Sequence, residues 1–160
     1  MHVDGACLGN PGPGGYAAVL QPGRRRKEIA GGFASTTNNR MELMAAIAGL
    51  EALTRPCRVI VYSDSEYVVK GIANGWARAW RSNGWKRRNN ERALSADLWL
   101  RLLNLCEQHN VSFHWVRGHA GNPQNELCDS LAAQAAQAPG LPPDPGYKAA
   151  PTVDLSHATV

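Results

Sequence analysis

The chain has 160 residues, of which 44% are hydrophobic and 19% charged, and a formal net charge of +4. That profile fits one globular domain able to bury roughly two-thirds of its unfolded surface, and it excludes a disulfide- or zinc-dependent mini-protein. No apolar run approaches the ~18 residues of a membrane span, no charged-then-apolar leader opens the chain, and the four cysteines (Cys7, Cys57, Cys106, Cys128) form no C-x-x-C pair; reduced thiols and a cytoplasmic location are expected.

In chain order, residues 1–4 read as the end of a strand, followed by a glycine-rich loop over 9–15. Residues 16–21 and 28–35 read as two strands joined by a turn at Pro22-Gly23 carrying Arg24, Arg25, Arg26 and Lys27, a solvated hairpin tip. Asn38 or Asn39 is expected to cap a helix running to about Thr54, with Met41, Met44, Ala45, Ala48 and Leu50 at helical spacing and Pro56 closing it. The apolar run 58–63 predicts a buried central strand. Short helices follow from about Glu66 through a basic segment. A longer helix over 95–108 carries Leu98, Leu102 and Leu105 on one face. A strand over 112–116 leads to an alanine-rich helix over 124–137, with Leu127, Leu131 and Ala135 in register. The order βββαβ, then helices, then βα, predicts a mixed sheet with helices packed on it. The domain is expected to span 1–137. Residues 138–160 hold five of the ten prolines with no apolar period, and predict a largely disordered tail.

Charge is concentrated rather than spread. Between Trp76 and Arg92 lie six bases against one acid, leaving the remainder of the chain close to neutral. The same stretch holds Trp76, Trp80 and Trp85. Bases interleaved with aromatics suit a polyanion whose sugars or bases pack on indole faces. The pattern also fits a solvated helix pair whose tryptophans anchor it to the core.

Asp4 and Asp64 are expected at the ends of the first and fourth strands, where open α/β sheets form ligand crevices. Glu42 falls in the predicted first turn of the long helix, and Asp129 early in the last one. Taken singly, each has a local role as turn former, dipole-matched acid or surface residue. Brought together they would repel, and hard divalent cations would relieve that repulsion; two such ions ~3.5–4 Å apart can clamp a phosphodiester in line.

Four stretches in order, DGACLGNPGPGG at 4–15, TTNNRMELMAA at 36–46, SDSEY at 63–67 and WVRGHAGNPQNELCD at 115–129, closely resemble bacterial ribonuclease H of type one. The similarity covers about 1–148 and includes the basic segment near 75–95, which that family calls its handle. It implies a ribonuclease H fold of five mixed strands, the first three antiparallel, flanked by helices. It further implies a monomeric endoribonuclease that cuts the RNA strand of an RNA–DNA hybrid with two Mg2+ ions (Mn2+ able to substitute), leaving 5′-phosphate and 3′-hydroxyl ends with weak sequence preference. By position, Asp4, Glu42, Asp64 and Asp129 match the metal-binding carboxylates. His119 matches a mobile histidine that assists proton transfer or product release, and a glycine-flanked loop imidazole titrates in the right range. His109 and His114 are read as structural. Asn10, Asn38 and Glu66 fall on minor-groove positions where 2′-hydroxyls are read, with Cys7 in the same loop and Asn39 beside Asn38. Thr37 resembles a residue anchoring a DNA-strand phosphate, and Trp80 a sugar-packing surface within the Trp76, Trp85, Lys86, Arg87 and Arg88 handle.

Three departures from the family pattern carry expectations. Only three residues precede Asp4, fewer than relatives have, which predicts lower stability or a truncated gene. Glu66 replaces a neutral amide, and an added acid is expected to weaken hydroxyl reading or raise the metal requirement. Ser95 stands where many relatives carry asparagine, and its shorter hydroxyl is expected to weaken a phosphate contact. Two other readings stand beside catalysis of hybrid cleavage: a non-catalytic hybrid-binding module, and a DNA nuclease of the same fold.

Overall fold

The computed structural model describes residues 1–87 and 89–148. Five strands form one sheet: β1 (His2–Cys7), β2 (Gly12–Leu20), β3 (Lys27–Thr36), β4 (Arg58–Ser63) and β5 (Asn110–Trp115), in spatial order β3-β2-β1-β4-β5. β1 to β3 pair antiparallel, whereas β1–β4 and β4–β5 are parallel. The helices are α1 (Asn38–Glu51), α2 (Glu66–Ala73), α3 (Trp76–Ser82), α4 (Ala96–Gln108) and α5 (Pro123–Ala136). None of the described helices is long and apolar enough to cross a membrane. All four cysteines are free thiols.

The main core lies between the sheet and α1, α2 and α4, and it is built from Val3, Met41, Leu43, Ile47, Leu50, Val61, Val68, Trp99, Leu102 and Leu103. α1 is buried nearly all round, as expected of a helix caught between a sheet and another helix rather than one with a single apolar stripe. Its cap is Thr37, whose hydroxyl accepts from the Arg40 amide at 3.3 Å, so the cap lies one residue before the expected Asn38. Leu98, Leu102 and Leu105 are buried together on α4, and Trp99 beside them donates its indole N–H to the Tyr67 hydroxyl at 3.0 Å. Each large apolar side chain buried here contributes about 1.5–3 kcal/mol.

β4 is not the buried central strand expected, because β1 takes the centre of the sheet and Arg58 and Ile60 face outward, exposed. Three further expectations need correction. β1 runs on to Cys7, so Asp4 sits inside a strand, opposite Ala17, rather than at its end. Glycine and alanine at 5 and 6 have low strand propensity, and pairing with β2 overrides it. On α5 the buried stripe is Asn125, Cys128, Ala132 and Ala136, not Leu127, Leu131 and Ala135. The reason is close approach: a Cβ on Gly15 of β2 would strike the Ala132 carbonyl and the Ala136 amide, so only small side chains fit beneath the helix while the leucines flank it.

The third correction concerns the tail. Over residues 141–148 the chain is a strap docked on the domain: the Ala34 amide donates to the Pro142 carbonyl at 2.8 Å. Asp144 is buried and accepts from Thr36 Oγ1 and Arg40 Nε, both at 2.7 Å. Composition could not reveal this, because one buried ion pair rather than an apolar period holds the strap. The remainder of the expected tail, 149–160, lies outside the described residues.

Candidate active site

The β1–β4 ladder registers only at His2 and Tyr62, so Asp4, within β1, and Asp64, one residue past the end of β4, lie beyond the paired part of two neighbouring parallel strands. α1 brings the third carboxylate. It can come this close because residue 5 is glycine: a Cβ there would lie 2.5 Å from the Glu42 amide nitrogen. Glu42 is the fifth residue of α1, one residue further in than a cap at Asn38 would put it and so in the second turn, where it is buried beside Asp4 of β1. Asp4, Glu42 and Asp64 each offer an oxygen within 4.8 Å of the others.

Burial and mutual repulsion dominate the electrostatics of this trio. Asp4 is 3% exposed, and desolvation, then the Asp64 charge, push its pKa up to about 7 against a hydrogen bond from the Gly5 amide. Glu42, equally buried, is raised well above the usual carboxylate range by desolvation and then by Asp4. Asp64 is raised by desolvation, with Asp129 adding to it and His119 opposing it. Glu42 Oε2 is buried without a hydrogen-bond partner. An orphaned carboxylate oxygen among crowded, desolvated acids is what a divalent cation with hard oxygen ligands satisfies, so the donor set fits Mg2+ or Mn2+.

Asp129 stands apart from the trio. It lies in the middle of α5 rather than early in it, half-buried, outside the set whose oxygens approach within 4.8 Å but near enough for its charge to raise Asp4 and Asp64. His119 is exposed on the loop between β5 and α5, in the left-handed region at φ +54°. That loop packs directly on the site: a Cβ on Gly118 would come within 2.7 Å of Asp64 Oδ2. His109 Nδ1 accepts from the Cys57 amide at 3.0 Å, while His114 lies against Tyr62.

The remaining candidates surround the carboxylates at several distances. Asn10 Oδ1 accepts from the Asn38 amide at 3.1 Å, tying the glycine-rich turn to the start of α1, and Cys7 Sγ faces the Gly12 and Thr36 carbonyls. Glu66 is exposed and pairs with Lys70 at 3.0 Å, an exposed contact that contributes little to stability. In the basic segment Trp76 is 43% exposed, whereas Trp80 and Trp85 pack against the core, with Trp80 edge-on to Trp99. Anchoring is therefore part of what these two tryptophans do. Lys86 bridges to Arg92 through the backbone and Arg87 pairs with Glu91 at 2.7 Å, while Arg88 lies outside the described residues.

Around the start of α1 lies a cleft of about 770 Å³, bordered by Asn10, Thr37, Asn39, Ser95, Tyr147 and Lys148 and by none of the three carboxylates. Sequence reasoning found Thr37 and Ser95 but missed the ion-pair system behind them. Arg40 is 4% exposed and grips Asp97 with both terminal nitrogens at 2.8 and 2.7 Å, and Asp144 through Nε at 2.7 Å. The only local signal was an arginine embedded in an apolar helix. Its partners lie 57 and 104 residues away.

Comparison with known proteins places the chain in a family. The RNase H family model matches residues 1–137. The chain is 58% identical over 147 residues to a ribonuclease H of Syntrophus aciditrophicus, covering 92% of this chain and 85% of that one. It is 60% identical over 144 residues to a ribonuclease H of Desulforamulus reducens, covering 90% and 91%. Among solved structures, LC9-RNase H1, described as a type 1 RNase H with the type 2 active-site motif, superposes with a TM-score of 0.74 at 34% identity over 84% of this chain and 70% of that one. LC11-RNase H1, solved in complex with an RNA/DNA hybrid, shares the fold with a TM-score of 0.63 at 23% identity, over 84% and 94%.

Proposed function

The chain belongs to the ribonuclease H family, a nuclease acting on RNA–DNA hybrids, and from that premise we propose that it hydrolyses the RNA strand internally by two-metal-ion catalysis, leaving 5′-phosphate and 3′-hydroxyl ends. The observation that carries the reading is the convergence of Asp4, Glu42 and Asp64 within 4.8 Å, two of them buried, with an unpartnered oxygen on Glu42. These three carboxylates would hold a pair of Mg2+ ions, which would supply activation of water as nucleophile and charge stabilisation for the leaving oxygen.

The chain's own groups do the rest. Asp4, Glu42 and Asp64 hold the cations, and Asp129 completes the acidic rim from α5. His119, on a loop set against Asp64 by Gly118, carries a proton to the leaving oxygen or helps the product leave. Asn10, Asn38 and Glu66 face the cut strand, where 2′-hydroxyls distinguish RNA from DNA. Thr37 and Ser95 border the cleft that takes a phosphate of the deoxy strand. The basic tryptophan-bearing segment holds the duplex, with Trp76 offering the most open indole face. The contacts proposed here are to sugars and phosphates rather than base edges, so sequence preference is expected to be weak. The protein acts as a cytoplasmic monomer without an obligate protein partner.

The test is cleavage of an end-labelled RNA–DNA hybrid with Mg2+, with Mn2+ and with EDTA, beside all-RNA and all-DNA duplexes. Cutting of the hybrid's RNA alone, in metal alone, is expected. Binding without cutting in either metal would overturn catalysis, and cutting of the DNA duplex would overturn the substrate assignment.

A further inference from the structure

The strap that follows α5 does more than cover the core. After Pro142 it turns at Asp144, where the Gly146 amide donates to Asp144 Oδ1 and the Tyr147 amide to the Asp144 carbonyl, both at 3.2 Å. A Cβ on Gly146 would collide with the Asp97 carboxylate and the Arg40 guanidinium, so the turn is wedged against the ion-pair system. This fixed turn delivers Tyr147 and Lys148 to the wall of the cleft, facing the segment that carries Thr37 and Asn39 and the one that carries Arg92 and Ser95.

The charge of that cleft is not what its arginine suggests. Arg40 is answered by two carboxylates, Asp97 and Asp144, so these three groups together repel an anion. With the buried Asp144 behind the wall counted in, Arg92 alone would bring this group of charges only to neutrality. Lys148 makes it net positive, which favours a phosphodiester beyond what the Thr37 and Ser95 hydroxyls supply. Neither Arg92 nor Lys148 is paired with a carboxylate among the described residues.

We propose that Lys148 is a phosphate-binding cation for the non-cleaved strand, and that the Asp144–Arg40 pair is the lock that positions it. The inference rests on the hybrid-cleaving reading above and adds a substrate contact from outside the matched 1–137 domain.

The experiment measures KM and kcat on an RNA–DNA hybrid in Mg2+ across a NaCl series, for the full chain and for Lys148→Gln, Lys148→Arg, Asp144→Asn, the Asp144→Asn/Lys148→Gln double variant and Arg24→Gln. Arg24 is an exposed cation on the remote hairpin turn and controls for loss of charge in general. Lys148→Gln is expected to raise KM up to about fivefold and to reduce the slope of log KM against log salt by about one, with kcat unchanged. Lys148→Arg restores both, and Arg24→Gln changes neither. Asp144→Asn, assayed below its melting temperature, removes a charge that opposes the anion, yet raises KM because it frees Lys148, and adding Lys148→Gln to it raises KM no further; a lowered KM in Asp144→Asn would overturn the lock. Wild-type KM and salt slope in Lys148→Gln would overturn the contact, and full additivity in the double variant would overturn the lock. Failure of the unaltered protein to cut any hybrid would instead remove the functional reading on which the inference stands.

Discussion

Replacing Asp144 by asparagine tests whether one buried ion pair holds the C-terminal strap. Asp144 and Arg40 expose only 3% and 4% of their side chains, and removing one partner of such a pair costs about 3–5 kcal/mol when the other charge is stranded. Arg40 is not stranded here, because Asp97 still grips it through two hydrogen bonds. Asparagine also keeps one acceptor for Thr36 and Arg40. The expected cost is therefore lower, about 2–3 kcal/mol, or a fall in Tm of roughly 4–12 °C for a chain of this size. Asp97 is 44% exposed, so solvent screens it, and Asp97→Asn should cost about 1 kcal/mol or less. The order of the two variants is thus part of the prediction. Hydrogen bonds and charge from Arg40 hold the Asp144 carboxyl below its usual range against desolvation, and Asp97 behaves likewise. A depressed folded-state pKa gives stability that is complete above the unfolded value, about 4, and is lost as pH falls through the folded value. The gap between wild type and Asp144→Asn should be constant from pH 7 to 5 and close progressively below pH 4. Urea and thermal unfolding across that range read it directly. Equal melting of wild type and Asp144→Asn at pH 7, a larger effect from Asp97→Asn, or a gap that does not narrow as pH falls below 4 would refute the reasoning.

Three other predictions concern the site. Asp64→Asn should nearly abolish cleavage in Mg2+ while leaving hybrid binding, measured by gel shift in EDTA, largely intact; equal activity would remove the metal assignment. The same variant should melt higher than wild type without metal, since it relieves repulsion among desolvated acids. The sign of the pH dependence follows: Asp4 is raised from the ordinary range to about 7, so the metal-free protein loses stability as pH rises between about 4 and 7, and Asp64→Asn should flatten that loss. Gly118→Ala should push the His119 loop off Asp64, lowering kcat with little change in Tm because the loop is exposed; unchanged kcat would show that the loop's approach to the carboxylate is immaterial.

Much of this protein can be read locally. The apolar run 58–63 became β4, Leu98, Leu102 and Leu105 became the buried face of α4, and the order of elements implied the mixed sheet; strand and helix periods are properties of neighbouring residues. The four motifs carry the four acids for the same reason, each being a short stretch, and the structure gathers Asp4, Glu42 and Asp64 of them. Other features depend on residues far apart in the chain. Asp4 lies within a strand because β2 pairs with it, and α5 turns its small side chains inward because Gly15 lets its backbone approach. Asp144 gave no sign in a proline-rich segment, since its significance lies in an arginine 104 residues earlier. The raised pKa values of Asp4 and Glu42 are likewise invisible in a string of letters: desolvation and repulsion between carboxylates exist only once the sheet end, the helix and the crevice between them have been assembled.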